Sequence, residues 1–268
     1  MGDMLILGLG YTGARLAAAL RTRGWRVSGV RRTAAGEDVL AFDDEAAVRA
    51  RLGTASHILS SVPPGSDGAD PVLTRFGPAL QSNKAVWVGY LSSTGVYGDT
   101  GGAWVDESAP IGTGRRSARA RADLAWQALG KNVRTFRLPG IYGPGRSAID
   151  RVRAGSAHRI DLPDQVFSRI HVDDIVAAVL ASLDGPPGVY NLADDHPCDQ
   201  NAVIEYACGL IGVDPPPLLA IEDARLSAQA RAFYSENRRV ASGRARRLLG
   251  WSPRYADYRS GLRSCLLD

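Results

Sequence analysis

The chain has 268 residues, 45% of them hydrophobic and 22% charged, with a formal net charge of +4; these are the proportions of a globular protein that buries its own core without disulfide or metal staples. The positive excess is arginine spread through the chain, with no dense basic block interleaved with aromatics, so nucleic acid is not an expected partner. Three distant cysteines (Cys198, Cys208, Cys265) lack metal-ligand spacing, no run of about 18 apolar residues occurs, and no basic segment with a following apolar stretch opens the chain; no metal, no membrane partner and a cytoplasmic setting are therefore expected.

Met4-Leu5-Ile6-Leu7 is a short apolar run ending at Gly8, the pattern of a strand buried on both faces. Helical spacing follows from Thr12 to Arg23, stopped by Gly24. Trp25–Val30 reads as a second strand, Glu45–Leu52 as a helix, and His57–Ser60 as a further strand ended by Pro63-Pro64. A helix over Leu73–Leu80, a buried strand over Ala85–Leu91, a helix over Arg116–Leu129 and a strand over Val133–Leu138 complete an alternating series. This order predicts an α/β fold, a Rossmann-type doubly wound parallel sheet with ligands at the carboxyl ends of its strands. Beyond Gly145 the pattern is mixed: short strands at His158–Leu162 and Ser168–His171 alternate with helices and proline turns. We expect a dinucleotide-binding region over 1–145 and, over 146–268, a mixed region holding a small C-terminal α+β substrate lobe intertwined with the first.

Gly8-Leu9-Gly10-Tyr11-Thr12-Gly13 is a G-x-G-x-x-G between a buried strand and an amphipathic helix, the setting that gives the motif meaning. Gly8 permits the tight turn, Gly10 the close approach of a pyrophosphate, and Gly13 the packing of helix on strand. Tyr11 and Thr12 open the helix whose N-terminus faces the anion. A dinucleotide site that prefers NAD carries an acidic residue after the second strand; this chain has Arg31-Arg32 there, which predicts NADP(H), with NAD(H) as the second choice. Ser61, Val62 and Pro63 end the next strand and are expected to line the adenosine side of the crevice.

Several further strings are spaced in order along the chain: Leu91-Ser92-Ser93-Thr94-Gly95-Val96-Tyr97-Gly98, Arg137-Leu138-Pro139-Gly140-Ile141-Tyr142-Gly143-Pro144-Gly145, Arg169-Ile170-His171-Val172-Asp173-Asp174-Ile175 and Tyr190-Asn191-Leu192-Ala193. Together they resemble the extended short-chain dehydrogenase/reductase family, in its NAD(P)-dependent epimerase/dehydratase branch. The resemblance implies a Ser/Thr that orients a substrate oxygen, a position matched by Ser93, beside Thr94. It implies that Asp43 contacts adenine, although a helix N-cap ahead of Glu45 explains Asp43 equally. It also implies a Tyr-x-x-x-Lys pair, and that pair is missing: Arg115 stands at the Tyr position and Arg119 at the Lys position. A guanidinium stays charged in proteins, so it binds anions or stabilises an alkoxide but exchanges protons poorly.

Three readings follow. Tyr97, Tyr142 or Tyr11 takes over proton transfer, with Tyr97 and Tyr142 also candidate substrate contacts; Arg115 and Arg119 clamp an anionic substrate; or the chain binds cofactor without turnover. Arg119 and Asp123, spaced i,i+4, would alternatively form a plain helix-face pair. His171 is expected to be structural, with Asp173 capping the next helix, and Asp106-Glu107 to be an exposed acidic turn. The expectation is an NAD(P)-dependent oxidoreductase or epimerase acting on a small polar carbonyl or hydroxyl compound, as a monomer or homodimer. Its rival is a non-catalytic NADP-binding sensor or partner protein.

Overall fold

Short β-rich apolar runs of four to seven residues, separated by helices with one apolar stripe, leave the strands no solvent-facing side; they stack side by side and the helices cover both faces. The computed structural model describes residues 2–34, 36–65, 67–112 and 117–266. Its first half runs β1 (Asp3–Leu7), α1 (Tyr11–Arg21), β2 (Arg26–Arg31), β3 (Val39–Ala41), α2 (Glu45–Thr54), β4 (His57–Ser60), α3 (Pro71–Gln81), β5 (Trp87–Ser93), a single 3₁₀ turn (Thr94–Tyr97), β6 (Trp104–Val105), α4 (Ser117–Gln127) and β7 (Val133–Leu138). The second half adds β8 (Gly140–Tyr142), α5 (Ala148–Arg153), β9 (Arg159–Ile160), β10 (Arg169–His171), α6 (Val172–Ala181), β11 (Gly188–Asn191), α7 (Gln200–Ile211), β12 (Leu218–Leu219), α8 (Ala228–Phe233), β13 (Arg239–Val240), α9 (Gly243–Leu249) and α10 (Tyr258–Ser264).

Seven strands form one sheet in the order β11-β7-β5-β4-β1-β2-β3, and every neighbouring pair is parallel. The chain winds outward from β1 through β2 to β3, then returns to β4 and winds the other way to β11. The order therefore reverses between β1 and β4, and a crevice opens outside the carboxyl ends of those strands. β11, from beyond residue 145, closes the sheet on its far side. The short strands pair across long sequence distances as β8 with β10, β9 with β12 and β6 with β13.

Two apolar layers hold the sheet. Leu16 and Leu20 of α1, Ile175 and Val179 of α6 and Leu249 of α9 pack on one face; Val48 and Leu52 of α2, Phe76 and Leu80 of α3 and Trp126 of α4 pack on the other. Tyr90 of β5 stacks on Trp126 with centroids 5.0 Å apart and planes at 8°, a pair worth roughly 0.5–1.5 kcal/mol beyond the area it buries. A third cluster joins Ile149 of α5, Val203 and Ile204 of α7 and Leu262 of α10.

α3 starts earlier than the sequence reading, where a cap outranks the apolar periodicity, and α2 and α6 are capped by residues other than those expected. α3 begins at Pro71 because the Asp70 carboxylate accepts from the Val72 and Leu73 N–H groups. α2 is capped by Asp44, not Asp43: the Asp44 carboxylate accepts from the Ala47 N–H at 3.1 Å. α6 is capped by the His171 ring, whose Nδ1 accepts from the Asp173 N–H at 3.2 Å, while Asp173 pairs with Arg15 at 3.0 Å.

Candidate functional site

The glycine turn sits where the order of strands reverses. Gly8, at the end of β1, has φ +93°, a backbone region that disfavours any side chain, and a Cβ there would meet the Ser61 Oγ at 2.7 Å. A Cβ on Gly13 would lie 2.8 Å from the Gly8 carbonyl oxygen, so α1 packs on the turn only because that atom is absent. A Cβ on Gly10 would meet nothing within 4 Å: its backbone borders open space. Gly10 is also the N-cap of α1, makes no side-chain cap bond, and no acidic residue occupies the first turn. The opening amides of α1 and its positive dipole end thus face the crevice uncompensated, the arrangement that attracts an anion.

A cavity of about 540 Å³ opens from this turn, lined by Gly8, Gly10, Arg31, Arg32, Ser61, Val62 and Pro63 among others. Seven predicted residues from three strand ends are therefore neighbours in space. Ser61 holds its place by donating to the Gly8 carbonyl at 2.6 Å. Arg31 and Arg32 are exposed at the rim. Thr12 and Gly13 are buried beneath the turn. The Tyr11 hydroxyl donates to the Pro144 carbonyl at 3.0 Å, and the Arg15 and Arg146 guanidiniums both lie over its ring. Burial raises the Tyr11 pKa to about 12 against the pull of Arg15. Asp43 does not line this cavity; Phe42 does, and the Asp43 carboxylate turns to Arg75 at 2.5 Å.

A second, smaller cavity of about 80 Å³ lies at the carboxyl ends of β5 and β7, on the same edge of the sheet. Ser93, Thr94, Leu138, Gly140 and Phe167 line it, together with residues brought in by the 233–240 segment. Ser93 caps the 3₁₀ turn, its Oγ accepting from the Gly95 N–H at 3.1 Å. That bond uses a lone pair and leaves the hydroxyl proton to donate. Arg119 lies beside Tyr90, and its charge opposes the rise that burial imposes on the Tyr90 hydroxyl. Arg115 lies outside the described residues.

Tyr97 and Tyr142 sit elsewhere than the crevice. Tyr97 is buried, its hydroxyl donating to the Asn191 Oδ1 at 2.7 Å and accepting from the Arg137 Nη1 at 2.9 Å, and burial raises its pKa. Tyr142 is buried edge-on against His171, its hydroxyl 3.4 Å from the Asp257 carbonyl; its pKa is pushed far up, chiefly by burial. Asp123 is not half of a solvated pair with Arg119 either. Its carboxylate is fully buried, paired with Arg137 at 2.9 Å and accepting from the Ser92 hydroxyl at 2.5 Å. Glu107 is half-buried rather than exposed; it accepts from the Asn191 N–H at 2.7 Å, and burial raises its pKa.

The sequence reading missed the polar residues of the 233–240 segment, Glu236 and Arg238 among them. The only local signal is an acid and a base two residues apart, which surface loops share. Among the described residues no helix is long and apolar enough to cross a membrane, and no group of three metal-ligating side chains comes together.

The reversed sheet order and the glycine turn define a Rossmann-type doubly wound α/β fold, and solved epimerases and dehydratases have the same fold. The human epimerase family protein SDR39U1, solved with NADPH, has this fold, with a TM-score of 0.79 and 18% identity over 99% of both chains. The chain belongs to the same family as a functionally unknown conserved protein from Silicibacter pomeroyi DSS, to which it is 40% identical over 100% of this chain and 99% of that one, with a TM-score of 0.87. Protein YeeZ of Escherichia coli is 29% identical over 81% of this chain and 86% of its own length. No family model matches the sequence.

Proposed function

We propose that this protein binds NADP(H) in the larger cavity and acts as an oxidoreductase or epimerase on a small polar carbonyl or hydroxyl compound in the smaller one. The observation that carries the reading is Gly10, whose missing side chain leaves open space in front of an uncapped helix N-terminus. A pyrophosphate fits there because backbone amides, not side chains, meet it. Arg31 and Arg32 at the rim suit a ribose 2′-phosphate, since a guanidinium pairs with a phosphate that a carboxylate would repel. That SDR39U1 was solved with NADPH supports the choice of cofactor. When bound, the nicotinamide supplies hydride chemistry; the chain supplies binding, orientation and exclusion of water.

Ser93 is the residue that orients the substrate oxygen, with its free hydroxyl proton. Arg119 supplies positive charge from the first turns of α4, and Arg115, proposed from its place in the sequence, would add to it. The adenosine side is held by Ser61, Val62 and Pro63, and the site works without a metal, in a cytoplasmic setting, in a monomer or homodimer. Residues 1–145 carry the dinucleotide site and 146–268 the substrate lobe.

The test is the change in reduced-nicotinamide absorbance with a panel of sugars, aldehydes and ketones. Turnover that is lost in Ser93→Ala supports an enzyme. One observation favours the rival, a non-catalytic NADP-binding sensor: the Tyr97 and Tyr142 hydroxyls are both committed within the protein. NADPH binding without turnover on the whole panel, with a partner protein recovered only in the presence of cofactor, selects the sensor.

A further inference from the structure

The loop that follows β8 is fastened to the first residue of α1. The Tyr11 hydroxyl donates to the Pro144 carbonyl at 3.0 Å, and the Arg146 N–H turns back to the Gly143 carbonyl at 2.9 Å. A Cβ on Gly143 would lie 2.7 Å from the Tyr11 Oη and 2.6 Å from the Val172 Cγ1, so the close approach of loop to helix requires glycine there. Gly145 has φ +73°, and a Cβ on it would meet nothing within 4 Å, so the chain turns through open space just before Arg146.

This loop carries a cation to the helix N-terminus. The Arg146 Cζ lies 5.8 Å from the centroid of the Tyr11 ring, and Tyr11 is the first residue of α1. The Arg146 side chain is exposed and has no ion-pair partner among the described residues. Asp150, the acid nearest to it in the sequence, engages its Oδ2 with the Ser147 N–H and hydroxyl at 2.6 and 2.7 Å. Arg15, over the same ring at 5.5 Å, differs, because Asp173 neutralises it at 3.0 Å. Arg146 therefore adds an unneutralised charge beside the positive end of a helix that has no acid in its first turn. Two positive ends so placed repel, and an anion between them turns the repulsion into attraction.

We propose that Arg146 is a cofactor-binding residue, whose guanidinium reaches over Tyr11 to pair with the diphosphate of the dinucleotide. The inference rests on the reading of the glycine turn as a dinucleotide site. It adds one side-chain contact, from the loop beyond β8, to the backbone contacts at Gly10. A guanidinium donates two parallel N–H bonds to a phosphate, a geometry that an ammonium lacks. The diphosphate is common to NADPH and NADH, so Arg146 serves both cofactors alike. Arg31 and Arg32 are assigned instead to the 2′-phosphate that NADPH alone carries. The two sets of arginines thus divide the work, one setting affinity for any dinucleotide and the other setting the choice between them.

Calorimetric titrations of the full chain with NADPH, NADH, ADP and inorganic pyrophosphate test this. Arg146→Ala weakens NADPH, NADH and ADP by about tenfold each and leaves the ratio of NADPH to NADH affinity unchanged. Its melting temperature stays near the parent's, because the side chain is exposed. Arg146→Lys restores part of the loss, since the charge returns without the two-pronged donor. Unchanged nucleotide affinities in Arg146→Ala overturn the proposal and leave Arg146 to an anionic group on the substrate. A loss confined to NADPH also overturns it, by placing Arg146 at the 2′-phosphate. Pyrophosphate separates this claim from the one it rests on. If the parent binds no nucleotide but binds pyrophosphate in a way that Arg146→Ala weakens, the dinucleotide reading falls and the diphosphate contact stands. If the parent binds neither, both fall; if it binds NADPH with no dependence on Arg146, this inference alone falls.

Discussion

Arg137 and Asp123 meet as a two-pronged pair in the protein interior, with Nη2 on Oδ1 at 2.9 Å and Nε on Oδ2 at 3.1 Å. The side chains are 4% and 0% exposed, so the pair is shielded from solvent. The pair joins β7 to α4. Through Ser92 and Tyr97 it also braces the end of β5, the strand that presents Ser93.

Breaking this pair from either side strands a buried charge. Arg137→Met and Asp123→Leu are each expected to cost about 3–5 kcal/mol, while the double replacement recovers much of the loss. Arg137→Lys does not rescue, because an ammonium cannot span both carboxylate oxygens and reach the Tyr97 hydroxyl. Denaturant unfolding of the four variants checks this by midpoint.

The three glycines of the turn have separable roles. Gly13→Ala places a methyl 2.8 Å from the Gly8 carbonyl and is expected to lower stability by about 1–3 kcal/mol. Gly10→Ala, with nothing within 4 Å, is expected to leave the melting temperature near that of the parent and to weaken NADPH binding by about tenfold or more, since the added methyl enters the open space proposed for the pyrophosphate. Melting curves and NADPH titrations of both variants read the two effects apart.

Removing Arg31 and Arg32 together is expected to reduce the preference for NADPH over NADH by roughly tenfold to a hundredfold, with NADH affinity little changed. High salt weakens NADPH binding for the same reason, because both side chains are exposed. Affinities for both cofactors at two salt concentrations check the point.

Asp194 gives a pH dependence with a definite sign. Burial raises its pKa to about 8, and its Oδ2 has no partner among the described residues. The folded protein therefore holds a proton that the unfolded chain gives up near its ordinary carboxylate pKa. Between these two values the folded state binds more protons, so stability is full at low pH and falls as pH rises through about 8. Asp194→Asn, which fixes the neutral form, flattens that fall. Melting temperatures from pH 5 to pH 9 for the parent and variant are the measurement.

Much of the sheet is legible in the sequence because a strand buried on both faces must be apolar throughout. Met4–Leu7 and Ala85–Leu91 announce themselves this way, and Gly8-Leu9-Gly10-Tyr11-Thr12-Gly13 marks the crevice by its spacing between a buried strand and an amphipathic helix. The short strands are not legible: β6 pairs with β13 and β9 with β12 over gaps that no local pattern spans. The capping of α2 by Asp44 and of α6 by His171 turns on backbone angles that neighbouring residues of similar chemistry could equally satisfy. The partners of Tyr97 are not legible locally, because Arg137 and Asn191, far along the chain, draw its hydroxyl inward. Glu236 and Ser93 border one cavity only once the fold brings them together from distant stretches of the chain.

Calorimetric titration of the purified protein with NADPH and with NADH tests the central claim most directly. The account predicts saturable one-site binding of both, tighter for NADPH, and weakened by Gly10→Ala without loss of fold. No heat of binding with either nucleotide, from protein that melts cooperatively, would contradict it.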